Sequence, residues 1–147
     1  LLPGARVASL VGRCACGGCA WQASCGEEFQ LQHCYCQLCR KMSGSAFQTW
    51  IPVRSSSFGW LPSSRIRLVR TTKQGQRHVC AECGGVLTIV YDEQPDAVWV
   101  AAGMVEDETW PADLGASLRC TVHICCSFGP GWYSLPEDGM PRLPLAA

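Results

Sequence analysis

The sequence has no surplus of either charge: Lys and Arg number 12, Asp and Glu number 12, and charged residues make up only 16%. No overall field exists to draw in nucleic acid or an anionic bilayer, so neither is expected as a partner. No apolar run approaches the ~20 residues that cross a membrane. The opening stretch from Leu1 to Val11 contains Arg6 and lacks the architecture of a secretory signal, so the expectation is a cytoplasmic, non-exported protein. The low hydrophobicity and high charge of disordered chains are also missing, since apolar residues reach 48%. No linker interrupts the chain. Residues 1–147 are therefore expected to form one domain, with its core at about 8–136 and a tail over 137–147, where the Pro-rich stretch wraps the surface.

Short β-prone runs bounded by Gly, Pro and Ser recur at Ala20 to Ser24, Phe29 to Cys34, Ala46 to Val53, Arg65 to Arg70, Val86 to Tyr91 and Val98 to Ala102. Helical character is confined to Gln37 to Met42, with Gly44 suited to its end. The rhythm predicts an all-β fold of mainly antiparallel sheets, sandwich-like, with zinc-knuckle turns and one short helix.

Cysteine is abundant, at twelve, and its spacing matters more than its number. A disulfide scaffold spreads its cysteines along loops, because residues one or two apart rarely close a bridge with good geometry. Here they cluster. Cys14-Ala-Cys16 places two sulfurs on one face of an extended segment, and Cys80-Ala-Glu-Cys83-Gly84-Gly85 supplies a Cys-X-X-Cys turn followed by glycines. Together these four make a closed tetrahedral site for zinc that clamps the N-terminal region to the middle of the chain. Cys19 completes a Cys-X-X-Cys with Cys16 and could compete for that ion. The second cluster, Cys34, Cys36 and Cys39, offers three ligands, the pattern of a reactive zinc with one position open. A thiol arriving there would lose its proton on binding.

Gly12-Arg-Cys14-Ala-Cys16-Gly17, then Cys34-Tyr-Cys36-Gln-Leu-Cys39-Arg40-Lys41-Met-Ser43-Gly44-Ser-Ala-Phe47, then Cys80-Ala-Glu-Cys83-Gly84 resemble, in order, the three cysteine blocks of the glutathione-dependent formaldehyde-activating (GFA, CENP-V-like) family. Gly103-Met-Val-Glu106-Asp107 is similar to that family's Gly-X-Leu-Asp-Asp segment, and His123-Ile124 with Trp132-Tyr133 to its closing motif. Tyr35 stands where many members have His, Val79 where Phe is usual, and Val105-Glu106 replaces a Leu-Asp pair. The resemblance implies a structural zinc on Cys14, Cys16, Cys80 and Cys83 and a functional zinc on Cys34, Cys36 and Cys39. The implied activity joins formaldehyde to glutathione, a carbon-sulfur lyase reaction run in reverse.

Around that core the residues divide. Cys25, Cys120, Cys125 and Cys126 lack a ligand pattern and read as buried structural thiols, and the lone His33 and His78 as satisfied histidines. His123 and Trp132 carry a motif argument as substrate contacts. Arg40, directly after Cys39, can meet a glutathione carboxylate or sit as a solvated charge at a helix end. Glu106 and Asp107 are the acids available to protonate an alkoxide. Arg65, Arg67 and Arg70 read as an exposed strand edge. Two functions follow: a zinc-dependent lyase or ligase acting on adducts of glutathione, or of a related thiol, with a small aldehyde; or a non-catalytic module that binds zinc or a thiol.

Overall fold

A computed structural model describes residues 8–25, 30–111 and 121–145. Its strands are β1 (Ala8–Arg13), β2 (Ala20–Cys25), β3 (Gln32–Cys34), β4 (Gln48–Arg54), β5 (Phe58–Trp60), β6 (Ile66–Arg70), β7 (Gly75–Cys80), β8 (Val86–Tyr91), β9 (Ala97–Ala101) and β10 (Val122–Ile124). The α-helix among the described residues, α1 (Gln37–Ser43), ends at Gly44 with φ 67°. Each predicted run contains a strand, the run from Phe29 to Cys34 over Gln32–Cys34 alone; Phe29 and Cys120, the latter read as a structural thiol, lie outside the described residues. Sequence reading missed β1, β5, β7 and β10: two of these are three-residue strands, and β1 and β7 are interrupted by glycine and polar residues.

The strands form two sheets, β1-β2-β5 and β10-β3-β4-β9-β8-β7-β6. Every pairing is antiparallel except that of β10 with β3, where the chain returns to lie beside Cys34. The small sheet packs on one face of the large one. Leu10 and Trp21 meet Ile51, Leu87 and Val100 there, all at most 1% exposed. Each large apolar side chain so buried contributes roughly 1.5–3 kcal/mol, which makes this contact the main support of the fold. Gly12 is required opposite Trp21, because a Cβ at position 12 would lie 2.2 Å from the indole.

A second cluster lies on the other face of the large sheet and includes Cys34, Cys39, Trp50, Ile89 and Cys125. A bulge decides which residues reach it. The β7–β8 register shifts between His78 and Val79, pairing His78 with Thr88 but Val79 with Val86. Leu87 then belongs to the first cluster while Val86 and Ile89 belong to the second. As expected, β6 is an outer strand and its arginines are exposed, with Arg70 paired to Asp92 at 2.6 Å and the preceding Arg65 to Glu82 at 3.0 Å. The tail adds its backbone beside β10, where His123 N–H donates to the Pro141 carbonyl and Leu143 N–H to the His123 carbonyl. No described helix is long and apolar enough to cross a membrane.

Candidate metal centres and the adjoining cavity

Two turns bring the first four sulfurs together. Cys14 and Cys16 follow β1, and Cys14 C=O accepts from Gly17 N–H at 2.9 Å; Cys80 ends β7, and its carbonyl accepts from Gly84 N–H at 3.0 Å. Gly17 and Gly84 have φ of 73° and 76°, which a side chain would resist. The Sγ atoms of Cys14, Cys16, Cys80 and Cys83 all lie within 4.8 Å of one another. Cys14 and Cys16 sulfurs are 3.6 Å apart, and Cys16 and Cys80 sulfurs 3.7 Å. A disulfide requires about 2.05 Å, whereas sulfurs at ~2.3 Å from a tetrahedral zinc stand ~3.8 Å apart. The donor set fits the metal. None of the described cysteines is in a disulfide.

The knuckle backbone favours the thiolate form that a metal needs. The Cys83 and Glu82 N–H groups pull the Cys80 thiol down to about 6, and the Gly85 N–H lowers Cys83. Cys19 stays outside the group. Its thiol donates to the Arg65 carbonyl at 2.9 Å, and burial pushes its pKa up to about 12. That is the geometry of a structural thiol bracing the turn.

The second group, Cys34, Cys36 and Cys39, also has its sulfurs within 4.8 Å. Cys34 ends β3, Cys36 caps α1 by accepting from Cys39 N–H at 3.3 Å, and Cys39 lies in the first helical turn. The Cys-X-X-Cys spacing thus becomes cap and third helical residue, which aims both sulfurs at the end of the helix. Thiol hydrogen bonds from Cys34 and Cys39 lower the Cys36 pKa, and their counterpart raises Cys34, so Cys36 is the first of the three to ionise.

A cavity of about 210 Å³ adjoins this group and is lined by all three cysteines. Arg77 enters it from β7. Sequence reading passed over this residue, although Gly75 and Val79, two positions to either side, share its buried face. It is 2% exposed. One Nη donates to Thr71 Oγ1, the other to Cys39 Sγ at 3.5 Å, and Nε has no hydrogen-bond partner among the described residues. A buried guanidinium costs several kcal/mol unless an anion faces it, and the sulfur group is that anion. Were a divalent ion held there, three thiolates would leave one net negative charge, which Arg77 would balance. Trp50 Nε1–H also donates to Cys39 Sγ, at 3.4 Å. Tyr91, pushed up to about 12 by burial, joins Gln32 and Thr72 in the polar lining as a neutral phenol.

The other anticipated residues lie elsewhere. Arg40 follows Cys39 on α1, does not line the cavity, and has a buried Nε without a hydrogen-bond partner among the described residues. His123 is fully buried, with Nδ1 3.0 Å from the Tyr35 hydroxyl and Nε2 2.9 Å from Asp138 Oδ2. It thereby ties the tail to the residue between Cys34 and Cys36. Trp132 is 74% exposed. Glu106 faces Arg13 at 3.6 Å, away from the cavity. His33 and His78 bond Thr49 and Thr88 at 2.8 and 2.7 Å, as satisfied histidines do. Of the remaining cysteines, Cys25 is buried in the first cluster, whereas Cys125 lines the cavity.

The sulfur groups, their fold and their order in the chain define a cysteine-rich β protein with two candidate metal centres. The model of the glutathione-dependent formaldehyde-activating enzyme family matches residues 9–126, and the chain belongs to that family. Among solved structures it is similar to the crystal structure of a Rhodobacter sphaeroides protein, a structural-genomics target. The two share 19% identity, with a TM-score of 0.55 over 71% of this chain and 94% of that one, a likeness of fold. No curated protein matches the chain.

Proposed function

We propose that this protein is a zinc-dependent carbon-sulfur lyase or ligase acting on adducts of glutathione, or a related thiol, with formaldehyde or another small aldehyde. The observation that carries the reading is an incomplete ligand set, Cys34, Cys36 and Cys39, opening on a cavity that also holds a buried cation. Zinc bound there would take the substrate sulfur as its fourth ligand and hold it as a thiolate at neutral pH. The four-sulfur group, being closed, would serve the fold. In the synthetic direction the thiolate sulfur forms a bond to the carbonyl carbon, the π pair moves to oxygen, and the oxygen takes a proton; cleavage is the reverse.

The chain's own groups divide the remaining work. Arg77 places positive charge beside Cys39 and stabilises negative charge in the cavity. Arg40 is the cation assigned to a glutathione carboxylate, outside the cavity, with Trp132 as a surface contact for the peptide. His123, which no substrate can reach directly, acts by holding Tyr35 and so the backbone between two ligands.

Freshly purified protein kept reduced should carry one to two zinc ions per chain by elemental analysis, the three-sulfur site losing its ion first to a chelator; metal-free protein would end this reading. In cobalt-substituted protein, glutathione should change the visible spectrum as its sulfur enters the coordination sphere. An unchanged spectrum would favour a non-catalytic zinc module. Arg40→Ala should weaken glutathione roughly tenfold while leaving 2-mercaptoethanol unaffected, because only the peptide has a carboxylate to lose.

A further inference from the structure

The cavity is far larger than formaldehyde needs. A two-heavy-atom carbonyl compound displaces no more than about two water volumes, roughly 60 Å³, whereas an apolar protein cavity of roughly 150 Å³ holds benzene. Here about 210 Å³ lies between α1 and the outer face of the large sheet, walled by Leu38, Trp50, Ile89, Tyr91 and Trp99. The register explains this wall. Ile89 pairs with both Arg77 and Trp99, which puts those three side chains in one row across β7, β8 and β9. A binding cavity for a small molecule is mostly apolar with a few placed polar groups, and this one has a buried guanidinium whose Nε is unpaired. A buried donor left without an acceptor is costly, so an oxygen brought beside it gains more than it would in water.

We propose, on the reading above, that this cavity receives the carbonyl-derived half of the substrate. That half carries an apolar group up to about the size of a benzene ring rather than a single carbon, and Arg77 donates to its oxygen. Glutathione itself exceeds the cavity, so its peptide stays outside and only its sulfur reaches the three cysteines. Selectivity among adducts then resides in the aldehyde half: the apolar wall favours ring or branched-chain aldehydes, and Arg77 orients the oxygen of each.

The test uses zinc-loaded protein and probes that contain no sulfur. Benzyl alcohol, toluene and methanol are titrated by NMR under reducing conditions. Benzyl alcohol and toluene should bind saturably and methanol should not. Leu38→Trp, which fills the rim, should weaken both aromatics at least tenfold. The ratio of benzyl alcohol to toluene affinity should fall about tenfold in Arg77→Met, because only the alcohol has an oxygen for Arg77 to meet. If Arg77→Met does not fold, Arg77→Lys should show the same fall, since a lysine lacks the planar fork and the Nε donor. Absence of saturable aromatic binding, or an unchanged ratio in a folded variant, overturns the proposal. Because cobalt spectroscopy with glutathione reports on the sulfur site alone, a failed cavity test beside a positive cobalt test removes this inference and leaves the lyase reading standing.

Discussion

A Cys83→Ser protein should melt about 10 °C or more below the wild type, because losing one ligand of a structural zinc site costs on the order of 3–5 kcal/mol. The four sulfurs join the turn after β1 to the knuckle after β7, and these strands belong to different sheets. Metal held there therefore fastens one sheet to the other across a long stretch of chain, and its binding free energy is folding free energy. Serine at position 83 leaves three thiolates and a weaker oxygen donor at an exposed corner. Where the weakened site gives up its ion, the Cys80 thiolate, favoured by the knuckle N–H groups, loses the cation that would balance it. Thermal melts with and without a chelator check this: the wild type should fall toward the variant on chelation, and the variant should respond less. Equal melting of the two proteins would show that the group does not hold the sheets together.

Cys39→Ser should leave melting within about 3 °C of the wild type but reduce thiol binding more than tenfold and bring the zinc content down to that of the four-sulfur site alone. Cys39 is where the second site converges: it is one of three sulfurs, it accepts from both Trp50 and Arg77, and it lies in the first turn of α1. Serine preserves the helix and offers an oxygen to Trp50 and Arg77, so the fold loses little. It does not preserve the ligand set. Two thiolates and a neutral hydroxyl bind zinc far less tightly than three thiolates, and Arg77 is left with less negative charge to face. Cobalt titration with glutathione reads the loss directly, and a calorimetric melt reads the retained fold. A variant as unstable as Cys83→Ser would mean that this site, too, is structural.

Much of the metal chemistry was legible in the sequence because ligand geometry is local. The spacing of Cys14-Ala-Cys16 predicts convergence on an extended segment; the structure instead brings its sulfurs together in a turn closed by Gly17, as the Cys-X-X-Cys turn closed by Gly84 does for two more, so both devices remain local. Cys36 and Cys39 converge through a cap and a first helical turn, again within four residues. The six β-prone runs and the short helix were equally local, since they rest on side-chain preference and turn residues. None of that needed the rest of the chain.

Tertiary structure decided which residues complete each site. Cys19 has the same spacing from Cys16 that Cys39 has from Cys36, yet the Arg65 carbonyl, 46 residues away, captures its thiol and keeps it out of the group. His123 carries a family motif but is fully buried between Tyr35 and Asp138, a placement that depends on the tail returning alongside β10. Arg77 gave no signal beside the charges of β6, because inward and outward arginines look alike until strand register is set. The β7–β8–β9 pairing sets it, putting Arg77, Ile89 and Trp99 in one row, while the bulge between His78 and Val79 divides β8 between two cores. The sequence by itself determined two sulfur groups and a β fold, since both follow from contacts between near neighbours. The cavity, its buried cation and its capacity come from pairing across distant strands, where a one-residue shift in register would turn every one of those side chains to the opposite face.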